Sequence, residues 1–346
     1  MNNKKISIEY IRVIAIIMTI TIHVSNIYIY AFDEISDGYF LTSVIYNSLS
    51  RLCVPLFFMI SGALIINKEY SRKKYFQKII KFILLLIFWS LFYYIQKNGF
   101  SFENIGTVLV NSFFNAEMTS RHLWYMYAII SVYIALPFIQ NMCKNLSKEL
   151  ENLFLILWIV LSGISVIAIP VARYITKSNI EIDYPIPLIN AAYYLGYFIC
   201  GHILYKRFAD VNFNKQKNAI CLLVYSVCTF ITAFFTYFIS IKADRFFDAM
   251  TWYKSIFTVL ATIAIFLLII ANKNFFKSEF ILKISRHTFG IYLTHIFFFN
   301  IMKKCFDITL FNPIITIPVA TLSLYIISLI ICMLLSKIPY VKKLIS

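Results

Sequence analysis

The chain has 346 residues, of which 60% are hydrophobic, 18% aromatic and only 14% charged, with a formal net charge of +16. Such a composition excludes a soluble globular domain and describes an integral membrane protein. The positive charge excludes nothing by its size, but its distribution along the chain argues against a nucleic-acid partner.

A membrane-crossing helix needs about 20 apolar residues, and the chain predicts ten such spans: about 10–30, 44–66, 79–96, 122–140, 152–172, 187–205, 219–241, 253–271, 287–303 and 313–336. With the N-terminus in the cytoplasm, the segments between spans that face inward hold 21 Lys and Arg against six acids, and the outer segments hold nine against ten. This is the positive-inside pattern, and it predicts an all-α protein of about ten transmembrane helices with both termini cytoplasmic, in the plasma membrane. The basic clusters, such as Arg72, Lys73 and Lys74, read as orientation signals and contacts to membrane lipids, with no nucleic acid implied.

The first span lacks a small-residue cleavage site after Tyr30, so it is expected to be a retained helix and not a signal peptide. The seven cysteines are scattered without a Cys-x-x-Cys pair, so they read as packing residues, and no metal site is predicted. The longest polar stretch, around 97–121, is too short for a second domain, and there is no internal repeat. The whole chain, 1–346, reads as one polytopic membrane domain.

Two fixed charges, Arg12 and Arg51, fall inside apolar spans as read from the sequence, where no Asp or Glu is found. An ionisable group in hydrocarbon costs at least about 2.5–3.5 kcal/mol, which makes each a functional-site candidate. Arg12 is followed eleven residues later by His23. Eleven steps of about 100° end about 20° past three full turns, so the two share one helix face about 16.5 Å apart along the axis. On an unbroken second span, Arg51 and Gly62, with Ser61 before it, would share a stripe by the same spacing. An antiparallel register in which paired residue numbers sum to about 74 sets His23 level with Arg51, and Arg12 level with Ser61 and Gly62. A narrow polar track would then join a cationic inner mouth to a histidine deep in the membrane.

The bland alternatives are specific. Arg12 is near enough to the boundary to snorkel; Arg51 would pair with a loop carboxylate such as Asp33 or Glu34; Ser61 and Gly62 would only allow helices to approach. No Gly-x-Ser-x-Gly elbow supports a serine nucleophile. His122 and Trp124 open the fourth span, where aromatic belts occur in any case. Tyr292 and His295 share a helix face, with a helix–helix hydrogen bond as the structural reading of His295. His202 and His287 read as structural or interfacial.

Four segments together resemble a known family: Arg12-x10-His23 in EYIRVIAIIMTITIHVSN, Phe57-Phe58-x-x-Ser61-Gly62 in SRLCVPLFFMISGALIIN, HLWYMYAIISVYIALP, and ISRHTFGIYLTHIFF. In this order and on these spans the chain resembles the membrane-bound acyltransferase family 3, bacterial O-acetyltransferases of surface glycans, in its compact single-domain branch. The resemblance implies acetyl-CoA as acyl donor, a glycan or lipid-linked sugar as acceptor, and essential roles for Arg12 and His23. It also implies that the segment containing Phe58 and Ser61 lies near the donor channel. Many relatives continue the His-Leu-Trp segment into a carboxylate, whereas Ile129 and Ile130 stand here, so an acid partner for His23 is not carried over. Glu117, followed by Arg121 and His122, is the outer-loop candidate for that role.

Taken together, His23 and Arg51 are expected to be catalytic, as base and oxyanion support. Arg12, Ser61 and Phe58 are expected on the donor side, and His122, Trp124, Tyr292 and His295 around the acceptor. A transient acetyl-histidine stays open beside direct transfer. The rival reading is a transporter or flippase of polysaccharide intermediates or small polar solutes. The absence of acids and of paired halves argues against it. A sensor or scaffold leaves both arginines unexplained.

Overall fold

The computed structural model describes residues 3–99, 106, 110, 120–161, 187–275 and 278–345. The apolar runs become long helices, even across Pro137 and Pro318, because hydrocarbon leaves the backbone no partner but itself. In chain order they are α1 (Asn3–Tyr30), α2 (Asp37–Ser50), α3 (Cys53–Ile65), α4 (Arg72–Asn98), α5 (Trp124–Asn145), α6 (148–161), α7 (Pro187–Phe208), α8 (Lys215–Ala243), α9 (Ile256–Ile270), α10 (Glu279–Ser285), α11 (Thr288–Cys305), α12 (Pro313–Leu335) and α13 (Pro339–Ile345). No strand occurs among the described residues.

Starts are set by local chemistry. The side chains of Ser36, Asn214 and Asn312 accept hydrogen bonds from the backbone N–H of Tyr39, Lys217 and Ile314, satisfying donors that the first turn leaves orphaned. Pro313 follows Asn312 at the first helical position, where its missing N–H costs nothing.

Seven helical stretches among the described residues are long and apolar enough to cross a membrane, and α6, α7 and α11 occupy the positions of the other three predicted spans. The predicted span 152–172 runs beyond the described residues. Outward faces are apolar: on α8, Phe230, Phe234 and Phe238 are exposed one turn apart with their rings stacked. A stripe of that kind is stable against lipid and costly in water. The molecule is an all-α, multi-pass membrane protein.

α1 is the central helix, packing against α2, α3, α9, α10, α11 and α12. The second predicted span is not the unbroken helix that a shared Arg51–Gly62 stripe requires. It kinks at Arg51 and Leu52, between α2 and α3. Pro55 has no N–H to offer the Arg51 carbonyl and its ring crowds that oxygen; regular bonding resumes with Leu56 N–H to Leu52 O at 3.0 Å.

A second departure concerns charge. Glu9 lies one turn before Arg12, inside the apolar part of α1 (Ile6–Tyr30), and is only 6% exposed. The first span therefore does contain an acid.

Gly62 is the point of closest helix approach. A Cβ there would collide with the Phe198 carbonyl of α7, and one on Gly201 would collide with the Met59 backbone of α3. Two glycines facing opposite backbones let α3 and α7 pack at main-chain contact. Gly62→Ala is expected to destabilise the fold by about 1–3 kcal/mol through overpacking, read as a lowered thermal midpoint in detergent. Gly38→Ala, where the added methyl meets nothing within 4 Å, should leave the midpoint unchanged or slightly raised.

Candidate active site

The polar residues of α1 open into two cavities. The first, of about 260 Å³, is bounded by Arg12, Thr19, Ser61, Tyr125, Arg286 and Tyr292. The second, of about 410 Å³, is bounded by His23, Arg51, His122, Trp124 and Tyr253, with Arg121 and Lys303 at its edge. Arg12, Thr19 and His23 are seven and four residues apart and fall on one face of α1, so a single helix supplies both cavities.

Arg12 neither snorkels freely nor stands unpaired. Its Nη1 donates to both carboxylate oxygens of Glu9, at 3.0 and 2.9 Å, with 33% of the arginine side chain exposed against 8% of the glutamate. Because one nitrogen carries both bonds, most of the guanidinium fork remains turned to the cavity. Arg286 adds a second cation to that wall, and Lys78 lies 4.5 Å above the ring of Tyr133, another wall residue.

Ser61 lines this cavity while Gly62 packs against α7, so the Ser-Gly pair divides into a cavity position and a packing position. The two phenylalanines divide likewise. Phe57 lines the cavity, whereas Phe58 is fully buried, stacked on Tyr194 at 4.9 Å and edge-on to Tyr125 at 5.1 Å, outside the cavity wall. Neighbours in sequence point about 100° apart on a helix, and one of the pair has to face inward.

Arg51 sits at the kink. Its Nε donates to Asn47 Oδ1 at 2.7 Å, and Asn47 Nδ2 donates to Ser25 Oγ at 2.9 Å and Asn26 Oδ1 at 2.8 Å. This chain of bonds ties the end of α2 to the His23 turn of α1. The guanidinium carbon lies 5.9 Å from the centre of the Tyr253 ring, a cation–π contact. Among the described residues no carboxylate pairs with Arg51, neither Asp33 nor Glu34. Trp124 stacks on Tyr253 at 5.8 Å, so its indole belongs to the same wall.

Three histidines meet between the cavities. The His295 ring is 5.2 Å from His23 and 5.6 Å from His122, centre to centre. His295 is fully buried and His122 is buried, while His23 is part-buried and borders the second cavity. The Tyr292 hydroxyl donates to the His122 carbonyl at 2.7 Å, and Tyr125 packs edge-on to Tyr292 at 5.5 Å. These aromatic rings form a partition with Arg12 on one side and His23 on the other.

Arg12 and Ser61 thus share the first cavity with Tyr292, and His23, Arg51, His122 and Trp124 share the second, with His295 buried behind. Tyr292, expected with the acceptor group, faces the Arg12 side. His202 is buried in α7. Glu117 lies outside the described residues. Asn47, Tyr253, Tyr125, Arg286 and Glu9 were not singled out from the sequence. Asn47, four residues before Arg51, and Glu9, three before Arg12, carried a readable signal in the side-chain spacing of a helix. Tyr253 carried none, being one tyrosine among 24.

No group of three or more metal-ligating side chains suited to a metal ion occurs among the described residues. The arrangement provides a base-capable imidazole, a fixed cation lining the same cavity, and a separate cationic cavity further along the same face of α1. No curated protein and no solved structure matches the chain. A family model described as an acyltransferase domain matches residues 5–337. With that match over nearly its whole length, on the helices that carry Arg12, His23, Ser61 and His295, the chain belongs to the acyltransferase 3 family of membrane acyltransferases.

Proposed function

We propose that the protein is an acetyl-CoA-dependent O-acyltransferase that moves an acetyl group to a hydroxyl of a cell-surface glycan or lipid-linked sugar. The observation that carries this reading is the pair of cavities on one face of α1, cationic at Arg12 and imidazole-bearing at His23, divided only by aromatic rings. An anionic donor with a long arm and a reactive tip fits the first, and a neutral polyol fits the second with its aromatic wall.

The distribution of basic residues supports a plasma-membrane orientation with both termini and the Arg12 cavity toward the cytoplasm. Acetyl-CoA enters there, its phosphates on Arg12 and Arg286, its pantetheine arm along Thr19 and Ser61. The thioester reaches His23 once Tyr292 and its neighbours yield. His23 removes the proton of the acceptor hydroxyl as the oxygen attacks the thioester carbonyl. The oxyanion that forms faces the Arg51 guanidinium, pre-set by Asn47. Collapse breaks the carbon–sulfur bond, and the CoA thiolate leaves with the proton that His23 holds. Arg51 is already oriented before substrate arrives, so its charge is available without reorganisation.

Purified protein incubated with labelled acetyl-CoA and envelope glycans is expected to release free CoA and label the glycan. A folded preparation that moves glycan across vesicles and never consumes an acyl-CoA would establish the transport reading instead. His23→Ala is expected to lower turnover by about 100- to 10,000-fold, the usual range for losing a general base, with little change in thermal midpoint. His202→Ala is the matched control, and equal losses in both would make the role of His23 structural.

The donor side calls for a gentler change, because Arg12→Ala would strand buried Glu9, a defect of about 3–5 kcal/mol. Arg12→Lys keeps the ion pair but loses the planar fork that binds phosphate bidentately. It is expected to raise the acetyl-CoA KM while leaving the acceptor KM unchanged. A shift confined to the acceptor KM would reverse the assignment of the two cavities.

A further inference from the structure

A histidine that serves as base needs its other ring nitrogen engaged, because the partner there decides which nitrogen keeps the lone pair. Among the described residues no carboxylate lines the cavity that holds His23. The partner of His23 has to come from elsewhere in the fold.

The surroundings of His295 are built for one tautomer. Its Nδ1 lies 2.7 Å from the Tyr292 carbonyl and 3.1 Å from the Ile291 carbonyl. Both are acceptors, so Nδ1 carries the hydrogen, and in the neutral ring Nε2 is left with a lone pair. That Nε2 is buried and has no hydrogen-bond partner, a costly state for an acceptor in a low-dielectric interior. The ring beside it is His23, 5.2 Å centre to centre and tilted by 45°, so a hydrogen bond between the two rings requires His23 to rotate. His23 has room to rotate, since it is part-buried and borders the second cavity.

We infer that His295 is a positioning residue: its Nε2 accepts the N–H of His23 and thereby holds the opposite nitrogen of His23, with its lone pair, toward the acceptor hydroxyl. The inference rests on His23 being the base. When His23 takes the hydroxyl proton, the N–H···N bond to His295 becomes charge-assisted and strengthens as the transition state forms. The proton stays on His23 until it leaves with the CoA sulfur, so no further donor or acceptor is needed. His122 is the other histidine against His295. Its Nδ1 is engaged with Ser120 Oγ at 2.7 Å, but its Nε2 is likewise buried without a partner and competes with His23 for the His295 Nε2 lone pair. A His122 tautomer that changes in His295→Leu while that of His23 does not assigns the contact to His122 instead. Other polar groups near the pair are the Tyr93 hydroxyl, bonded to the Leu293 carbonyl, the Asn26, Asn300, Ser120 and Tyr253 side chains of the cavity, and its Arg51, Arg121 and Lys303 cations.

Nitrogen-15 NMR of histidine-labelled, substrate-free protein tests this without any catalysis. His295 is expected as Nδ1–H with Nε2 unprotonated, and His23 as one fixed tautomer. In His295→Leu, His23 is expected to become a tautomer mixture, whereas His295→Gln, which returns an acceptor near the Nε2 position, restores one form. In the transfer assay His295→Leu should lower kcat by roughly 100-fold, short of the ~10,000-fold lost with a carboxylate partner, with both KM values within about threefold. His295→Gln should recover most of it. A proton on His295 Nε2 in the wild-type protein overturns the assignment without recourse to any variant. So does an unchanged His23 tautomer in His295→Leu, or equal kcat losses for Leu and Gln at equal thermal midpoints. If His23→Ala proves active while the NMR pattern holds, the base reading fails and the His23–His295 contact stands.

Discussion

The missing N–H of Pro55 is the constraint around which the site is arranged. Because the Arg51 carbonyl has no donor four residues ahead, the second apolar segment kinks where a charged residue has to be accommodated. On one side of the kink, Arg51 reaches the His23 turn through Asn47. On the other, α3 turns Phe57 and Ser61 to the Arg12 cavity and Gly62 to α7. The kink lets α2 and α3 aim independently, so that α3 can set Ser61 toward the Arg12 cavity while Gly62 packs on α7.

Several polar groups of the spans are held by pairing with each other. Glu9 offsets Arg12, and Asn47 joins Arg51 to Ser25 and Asn26. Each pairing holds one helix, or two, in a fixed relation at a depth where water cannot do so. The apolar core around α1 supplies packing, and these few bonds supply orientation.

Sequence spacing revealed the helical class, the positions of the apolar segments and the placement of Arg12 and His23 on one face, because helix periodicity is a local property. The level pairing of His23 with Arg51 and of Arg12 with Ser61 also matches the two cavities. The kink was written in Pro55 and passed over, since the apolar run continues through it. Glu9 was placed at the boundary and not within the span, which made Arg12 look unpaired. The division of Phe57 from Phe58, and of Ser61 from Gly62, depends on which way α3 faces. That is fixed by α7, more than a hundred residues later, and no local pattern carries it. The convergence of His122 and His295 on His23 is likewise a product of tertiary packing between α1, the turn 121–123 that precedes α5, and α11.

The thin aromatic partition has a consequence for the membrane as an insulator. If each cavity fills with water from its own side, the low-dielectric path shrinks from the full bilayer to the few rings around Tyr292 and His122. The transmembrane voltage then falls across that short distance, where moving one elementary charge through it is worth about 2.3 kcal/mol per 100 mV. In the proposed reaction a neutral acetyl thioester tip would cross such a focused field at no electrical cost, while the donor phosphates proposed at Arg12 would stay out of it. The same closed rings would keep ions from leaking along the route proposed for the substrate arm.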